Sequence, residues 1–234
     1  MSRLLQAMRW EVLIQFRQNI FYAALFVALL WSAVLYQLPD TAIVPLLVSV
    51  LFLDLSIFGF FFMAALFYLE KGDRVLEGLV VTPLRVVEYL TAKIGVLTAL
   101  SVVVGAVVTL VAYGLGIHWG WYALAVVGMS APISLLGFVL AARYNGINEF
   151  LVPGVFFLVV MQLPLLGYLG IWDNPLLYLV PSQPGMILLE AAFASVPLWE
   201  IGYAVVYLAL LIFLGWRWAE QTFVRVIARQ VGNN

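Results

Sequence analysis

The chain has 234 residues, of which 65% are apolar and only 10% are charged, and its formal net charge is −1. A soluble domain has about a quarter of its residues charged, so this composition excludes an ordinary soluble fold and predicts an all-helical protein that crosses a lipid bilayer several times. The near-neutral charge argues against nucleic acid as a partner, and the lack of cysteine excludes disulfides, thiolate metal sites and cysteine nucleophiles.

The N-terminal segment, residues 1–19, is predicted to be a helix that lies on the inner membrane surface. Its apolar residues share one face of a helix, namely Leu4, Leu5, Met8, Val12 and Phe16. Three arginines lie off that face, at positions 3, 9 and 17. A simple amphipathic anchor and a mechanical role in transport explain this pattern equally well. The segment lacks a short apolar core with a small-residue cleavage site, so we expect it to be retained.

Six apolar runs approach the roughly 20 residues that a membrane-spanning helix needs. They lie at residues 20–37, 43–69, 94–117, 121–142, 149–170 and 200–218. Lys and Arg are absent from every second connection, namely 38–42, 118–120 and 171–199. Under the positive-inside rule this places both termini in the cytoplasm of a multi-pass protein of the cell inner (plasma) membrane.

The segment 171–199 is apolar but broken. Four prolines interrupt it, at Pro175, Pro181, Pro184 and Pro197. Each proline costs about 3 kcal/mol in a helix interior. Treating the segment as a seventh span would also put the C-terminal arginines outside. We therefore predict a broken helical hairpin in the outer leaflet before the last span, covered by other helices.

Polar and aromatic residues within the spans are candidates for a substrate path. Asp54 lies about eleven residues from the outer end of the second span, roughly 16 Å deep at 1.5 Å per residue. A carboxyl at that depth is costly unless it is paired, protonated or hydrated, which makes it a functional candidate. The alternative is a neutral acid hydrogen-bonded to Ser49, Ser56 or a neighbouring span.

Phe58, Phe61 and Gln162 complete the predicted substrate path. The phenylalanines would suit an amphipathic aromatic compound, although lipid-facing or interhelical packing is the more common role of such residues. Gln162 precedes Pro164 by two positions, a pattern that could break the fifth span near a cavity or simply kink it.

Three charged residues near the ends of the spans have local explanations. Arg143 and Glu149 flank the turn "YNGIN" and are predicted to pair at the inner surface. Glu190, in the outer segment, is interpreted as a solvated charge, with a gating residue as the alternative.

The stretch "EKGDRVLEGLVVTPLRVVEYLTAK", residues 70–93, is the longest polar-bearing segment between two spans. Asp73 is suited to cap a first short helix. Thr82 followed by Pro83 predicts the start of a second helix that runs to Lys93. Glu88 and Lys93 are predicted to face solvent. Such a helix either contacts another protein or packs on the inner ends of its own spans.

This stretch resembles the cytoplasmic loop of ABC-2-type transporter permeases. The resemblance rests on the acidic and basic start, the Leu-Glu-x-Leu core, Thr-Pro-Leu, Tyr-Leu and the lysine that opens the next span. The runs "GFFFMAALFYLEKGDRVLEGLVVTPLRVVEYLTAK" and "YLVPSQPGMILLEAAF" are similar to the fluoroquinolone-export permease subunits of that family. The resemblance covers residues 1–234 as a single transmembrane domain.

The resemblance implies an exporter in bacteria or archaea in which this chain forms the membrane path for a hydrophobic or amphipathic substrate, such as a fluoroquinolone. A separate ABC ATPase would bind ATP and Mg, and the second permease would be another copy or a related sister chain. The ATPase is expected to dock on ten loop residues, namely Asp73, Arg74, Leu76, Glu77, Thr82, Pro83, Leu84, Arg85, Val87 and Glu88. No cofactor is expected on this chain, which has no G-x-x-x-x-G-K-[ST] loop.

Two other functional classes, an enzyme and an ion-coupled transporter or channel, compete with the exporter. An enzyme is disfavoured because His118 is the single histidine and no serine stands in a G-x-S-x-G turn, so no catalytic or metal residues are predicted. An ion-coupled secondary transporter or channel, with Asp54 as the coupling site, is the stronger alternative. An associated ATPase would discriminate between the exporter and this alternative.

Overall fold

The structure is a computed structural model and describes residues 3–73, 75 and 85–232. The described part of the chain is helical and contains no β-strand. We number its α-helices α1 Arg3–Arg17, α2 Ile20–Leu35, α3 Asp40–Ile57, α4 Met63–Gly72, α5 Val86–Ala112, α6 Trp119–Ala141, α7 Ile147–Met161, α8 Leu163–Tyr168, α9 Gln183–Phe193 and α10 Leu198–Gly232.

Within the described ranges, five helical segments are long and apolar enough to cross a membrane. They are Ala42–Gly72, Val86–Ala112, Trp119–Ala141, Ile147–Tyr168 and Leu198–Val226. The all-helical, multi-pass architecture predicted from composition is therefore confirmed. The first predicted span corresponds to α2, whose 16 residues rise only about 24 Å, less than the roughly 30 Å of a hydrocarbon core.

The helices α1 and α2 form a bent pair with an angle of 67° between them, and together they would supply a sixth span. Asn19 carries the bend, because its φ of 60° is left-handed and asparagine tolerates that region better than most residues. The predicted N-terminal helix thus exists as a separate element, and its location on the membrane surface remains a prediction.

The second span is a single continuous helix with a π-helical turn inside it. The turn, Phe58–Phe62, joins α3 to α4. Here α6 approaches closely: a Cβ at Gly137 would lie only 2.6 Å from the Phe60 carbonyl oxygen. Such turns are frequent at functional sites. Nothing in the local sequence predicted this turn, which lies against a residue of a distant helix.

The bundle is organised around α6. In α6, 67% of the most apolar 18-residue stretch is buried inside the bundle. In α10, the corresponding fraction is only 11%. The helices α5, α9 and α10 and the π-helical turn pack against α6. Gly185 allows the closest contact with α9, since a Cβ there would lie 2.6 Å from the Met129 sulfur. The core therefore sits on α6, and α10 has most of its surface outside the bundle.

The segment 171–199 contains a 3-10 helix, Pro175–Leu179, and then α9. The eleven residues of α9 rise about 16 Å, half of a hydrocarbon core, so the segment is not a seventh span. The Ser182 hydroxyl donates to the Met161 carbonyl at the end of α7. Near the C-terminal end of α9, the Ala192 carbonyl accepts the His118 N–H over 2.9 Å. The segment thus dips beside the α7–α8 junction and returns to the start of α6.

The predicted start of the second loop helix is wrong. Arg85 is extended, with φ −81° and ψ 148°, and it is the N-cap of α5. The Arg85 N–H donates to the Glu88 carboxylate over 2.9 Å, which fixes the start of the helix three residues later than the Thr-Pro pattern indicated. Residues 86–93 are therefore the first turns of the third span. Thr82, Pro83 and Leu84 lie outside the described residues.

The third span also ends earlier than predicted, at Ala112 instead of position 117. Gly114 has a φ of +84°, the left-handed conformation that commonly ends helices. Its N–H donates to the carbonyls of Thr109 and Leu110, which completes the helix end. The span is thus shifted toward the N-terminus by about two turns at its start and one turn at its end.

Candidate functional site

Lys93 is completely buried and not solvent-facing as predicted. Its ammonium nitrogen lies 2.7 Å from Glu70 Oε1 and 3.0 Å from Glu11 Oε1. Both glutamates are only 5% exposed. The prediction failed because α5 begins at Val86, so that Lys93 lies two turns inside a packed helix whose neighbours supply two carboxylates. Buried charges require such partners.

Tyr89 and Gln15 complete the polar contacts. The Tyr89 hydroxyl donates to Glu70 Oε2, and the Lys93 ammonium lies 5.2 Å from the centre of the Tyr89 ring. The Gln15 amide donates to Glu11 Oε1 over 3.2 Å. We refer to Glu11, Glu70, Tyr89 and Lys93 as the Lys93 cluster.

The Lys93 cluster lies where the loop 73–85 leaves and re-enters the bundle. Glu70 is near the end of α4, before the loop, and Tyr89 and Lys93 are near the start of α5, after it. Glu11 is contributed by α1. The cluster therefore connects both stems of the loop to the N-terminal helix through buried charges.

The same stems contact two further elements. The Lys71 ammonium donates to the Asn145 carbonyl over 3.0 Å, and the Tyr68 hydroxyl donates to the Ala141 carbonyl over 2.8 Å, so α4 is tied to the turn after α6. The Tyr89 ring lies 5.0 Å from the Phe223 ring of α10. The base of the loop is thus a meeting point of the helices at this end of the bundle.

The predicted Arg143–Glu149 pair does not form. The Glu149 carboxylate accepts the Asn145 N–H over 3.1 Å, and the Arg143 guanidinium lies 5.2 Å from the centre of the Trp218 ring. Both residues therefore stabilise the turn between α6 and α7, but Arg143 does so by attaching the turn to α10.

Four of the ten predicted docking residues are described. Asp73 ends α4 and is exposed, Arg85 is exposed, Val87 is 46% exposed and Glu88 is half-buried. The other six lie outside the described residues: Arg74, Leu76, Glu77, Thr82, Pro83 and Leu84. The docking role of all ten stays a prediction.

Asp54 is half-buried on α3, and the Trp31 side chain of α2 lies within hydrogen-bonding reach of its carboxyl. The two serines considered as partners donate within their own helix instead, Ser49 to the Pro45 carbonyl and Ser56 to the Phe52 carbonyl. Of the alternatives, the geometry favours a bond to a neighbouring span. The functional role of Asp54 stays a prediction.

Phe58 and Phe61 face different neighbours. Phe58 lines a crevice with Leu97 and Ser101 whose volume is about 10 Å³. That volume suits roughly one water molecule, whereas pockets for drug-sized ligands reach about 300–1,000 Å³. Phe61 packs edge-on against Phe150 of α7 instead. Among the described residues, the two side chains therefore contact different neighbours, and the crevice beside Phe58 is too small for a drug-sized ligand.

Gln162 lies at the break between α7 and α8, where the sequence allowed a helix break. Its side-chain nitrogen and oxygen are both buried and, among the described residues, neither has a hydrogen-bond partner. A buried unpaired amide is unusual and points to a specific role. Its position beside the Met161 carbonyl, which accepts the Ser182 hydroxyl, places it next to the broken segment.

Glu190 is half-buried on α9, which is less exposed than the solvated charge predicted from the sequence. Burial, and then the charge of nearby Glu200, raises the pKa of its carboxyl above the usual value. Within the described ranges, no three His, Asp or Glu side chains come together in a way that could hold a metal ion.

Among the described residues, four apolar segments of spanning length and the buried α6, with the Lys93 cluster at one end of the bundle, define a polytopic α-helical membrane protein. The family model for the fluoroquinolones export permease protein family matches residues 2–231. Two proteins from two strains of Mycobacterium tuberculosis, each named a fluoroquinolones export permease protein, are 39% identical to this chain over 210 residues, covering 88% of it and 89% of each relative. The chain belongs to the fluoroquinolones export permease protein family.

The Lys93 cluster was missed from the sequence because its charges lie on three separate helices. One signal was available: Gln15 interrupts the apolar face of the N-terminal helix, and Glu11 stands four residues before it, one helical turn away. Two polar residues on one helical turn of an otherwise apolar face indicate a buried polar partner.

Proposed function

We propose that the chain is the permease subunit of an ATP-driven drug exporter, powered by a separate ABC ATPase that docks on residues 73–88. The observation that carries this proposal is the Lys93 cluster, because it fixes both stems of the loop to the N-terminal helix. A loop anchored in this way passes a displacement to the helices, whereas a free loop would absorb it.

The substrate class follows from the relatives, whose names describe export of fluoroquinolones. We propose an amphipathic aromatic compound of that kind. Exposed aromatic side chains support this choice, since Phe156 of the fifth span is 73% exposed and Phe213 of α10 is 57% exposed. These rings offer flat apolar surfaces that suit a planar drug.

The path itself is proposed to lie between this chain and a second permease, either another copy or a sister chain. The crevice beside Phe58 is far too small for a drug. In contrast, only 11% of the most apolar stretch of α10 and 28% of that of the Ile147–Tyr168 span is buried within the chain. These two spans therefore have large apolar faces that are available to lipid or to another permease.

The proposed orientation places both termini and the loop 70–93 in the cytoplasm of a bacterial cell, with α1 on the inner membrane surface. The segment 171–199 would then occupy the outer leaflet. Its contacts support this placement: the Tyr203 and Tyr207 hydroxyls of α10 donate to the carbonyls of Tyr178 and Leu179, which satisfies broken backbone where water is scarce.

Inside-out vesicles from the source cells test the proposal. We expect ATP-dependent accumulation of a fluorescent fluoroquinolone with the natural chain. Val87→Asp introduces a charge on the exposed stem of the loop and should lower accumulation about tenfold, because it disrupts a docking contact. Leu198→Asp is the matched control, since Leu198 is also exposed, at 84%, but lies in the first turn of α10, at the opposite end of that helix from Phe223 and Tyr89.

Two outcomes would contradict the proposal. Equal accumulation in the Val87→Asp and Leu198→Asp vesicles would refute docking at the stem. Accumulation that needs no ATP and instead follows an imposed proton or sodium gradient would favour the ion-coupled transporter, in which Asp54 is the coupling site.

A further inference from the structure

We infer that the Lys93 cluster is a positioning joint that makes α1 and both stems of the loop 73–85 move as one body during transport. The inference rests on the proposed function, in which the loop receives the ATPase. It assigns Glu11, Glu70 and Lys93 to a role that does not require contact with substrate or ATP.

The joint is complete as a set of hydrogen bonds. The Lys93 ammonium nitrogen lies 3.0 and 3.2 Å from the two oxygens of Glu11 and 2.7 Å from Glu70 Oε1. The second Glu70 oxygen accepts the Tyr89 hydroxyl. One ammonium therefore compensates two carboxylates that belong to different helices. Because the ammonium has three N–H groups, both links can exist at the same time.

The residues that α1 buries most completely are polar. Gln15 is 0% and Glu11 is 5% exposed, whereas Trp10 is 66% exposed and Leu5 is 59% exposed. The helix therefore directs Glu11 and Gln15 toward the bundle and much of its apolar surface outward. Its attachment combines the joint with apolar contacts, since Met8 lies against α5 beside Gly95 and Ile14 packs against the core.

The position of the joint gives it a mechanical consequence. A displacement of the loop acts on α4 at Glu70 and on α5 at Lys93, and Glu11 passes the same displacement to α1. Charged hydrogen bonds in a buried site are strong and directional, so relative sliding of these helices is disfavoured. Without the Glu11 link, α4 and α5 would move together while α1 lagged behind.

Two substitutions each remove one of the two ion pairs of Lys93 and keep the other, so that the buried ammonium always retains one carboxylate partner. Glu11→Gln removes the carboxylate of α1 and keeps the Lys93–Glu70 pair. Glu70→Gln removes the carboxylate of α4 and keeps the Lys93–Glu11 pair. Glu11→Asp retains the charge and serves as the conservative variant. Glu200→Gln is the matched control, because Glu200 is in the first turn of α10, at the opposite end from Phe223 and Tyr89.

Hydrogen exchange on the complete transporter in nanodiscs reports the state of α1. We expect amide exchange within residues 3–17 to be about tenfold faster in Glu11→Gln than in the natural chain. Glu70→Gln and Glu200→Gln should leave this exchange unchanged, and Glu11→Asp should restore most of the protection. If α1 is equally protected in Glu11→Gln and the natural chain, the joint does not hold this helix and the inference is overturned.

The number of drug molecules moved per ATP hydrolysed reports the role in coupling. We expect this ratio to fall about threefold or more in Glu11→Gln and in Glu70→Gln, at an unchanged rate of ATP hydrolysis. A purely structural role would lower the amount of folded transporter and leave the ratio intact, so an intact ratio overturns the inference. Failure of the natural chain to use ATP would refute the proposed function instead, and the exchange of α1 would still test the joint.

Discussion

Replacing Lys93 by methionine should destabilise the protein more than any single substitution on its surface. Lys93 is fully buried and is the cation that faces both Glu11 and Glu70. Methionine fills much of the same volume but leaves two carboxylates buried without a counter-charge. The perturbation is therefore electrostatic, with little change in packing.

The magnitude follows from the burial of both carboxylates. Removing one partner of a buried ion pair costs about 3–5 kcal/mol, because the remaining charge is left uncompensated. For a chain of this size, about 1 kcal/mol shifts the melting temperature by roughly 2–4 °C, so we expect a decrease of about 6 to 20 °C.

Thermal unfolding of the purified chain in nanodiscs measures this effect, and a triple variant supplies the matched control. Lys93→Met combined with Glu11→Gln and Glu70→Gln removes all three charges and keeps the volumes similar. Replacing a complete buried ionic group by neutral residues is often close to neutral in stability. The triple variant should therefore recover most of the lost melting temperature.

Two results would refute this reasoning. A melting temperature of Lys93→Met equal to that of the natural chain would mean that the carboxylates are hydrated or displaced. A triple variant as unstable as Lys93→Met would mean that the loss comes from packing around position 93 and not from uncompensated charge.

Three further predictions concern packing, transport and pH. Gly137→Ala should lower the free energy of unfolding, measured by thermal unfolding, by about 1–3 kcal/mol, because the new Cβ would collide with the Phe60 carbonyl. Gly202→Ala is the control and should leave it unchanged, because no atom lies within 4 Å of a Cβ there. Asp54→Ala should reduce fluoroquinolone export while expression and melting temperature stay near normal; normal export would refute a role. Burial raises the pKa of Glu190, so the free energy of unfolding should fall as pH rises above the ordinary value of about 4.5, and Glu190→Gln should remove this part of the pH dependence of the melting temperature.

The sequence predicts the spanning helices well because hydropathy depends on local composition alone. Residues 43–69 and 121–142 were predicted, and the structure has Ala42–Gly72 and Trp119–Ala141. The ends are less predictable where a single residue decides them. The Glu88 carboxylate accepts the Arg85 N–H and fixes the start of α5, and Gly114 follows its C-terminal end. The third span therefore lies closer to the N-terminus than its apolar run indicated.

The candidate site was only partly predictable, because most of its features combine distant parts of the chain. Glu11 and Lys93 are 82 positions apart in the sequence, and no spacing rule relates them. The π-helical turn lies against Gly137 of another helix. In contrast, the break at Gln162 was predictable, since Pro164 follows two residues later and its effect is local.

The two ends of the bundle are joined through α6, and this determines what a displacement of the loop can do. At the loop end, Tyr68 donates to the Ala141 carbonyl at the C-terminus of α6. Further along α6, Gly137 contacts the π-helical turn and Met129 contacts Gly185 of α9. Packed interiors have low compressibility, so these contacts transmit movement with little local deformation. A shift at the loop should therefore tilt α6 together with α9 and change the position of the segment 171–199, which lies at the far end of α6 from the loop.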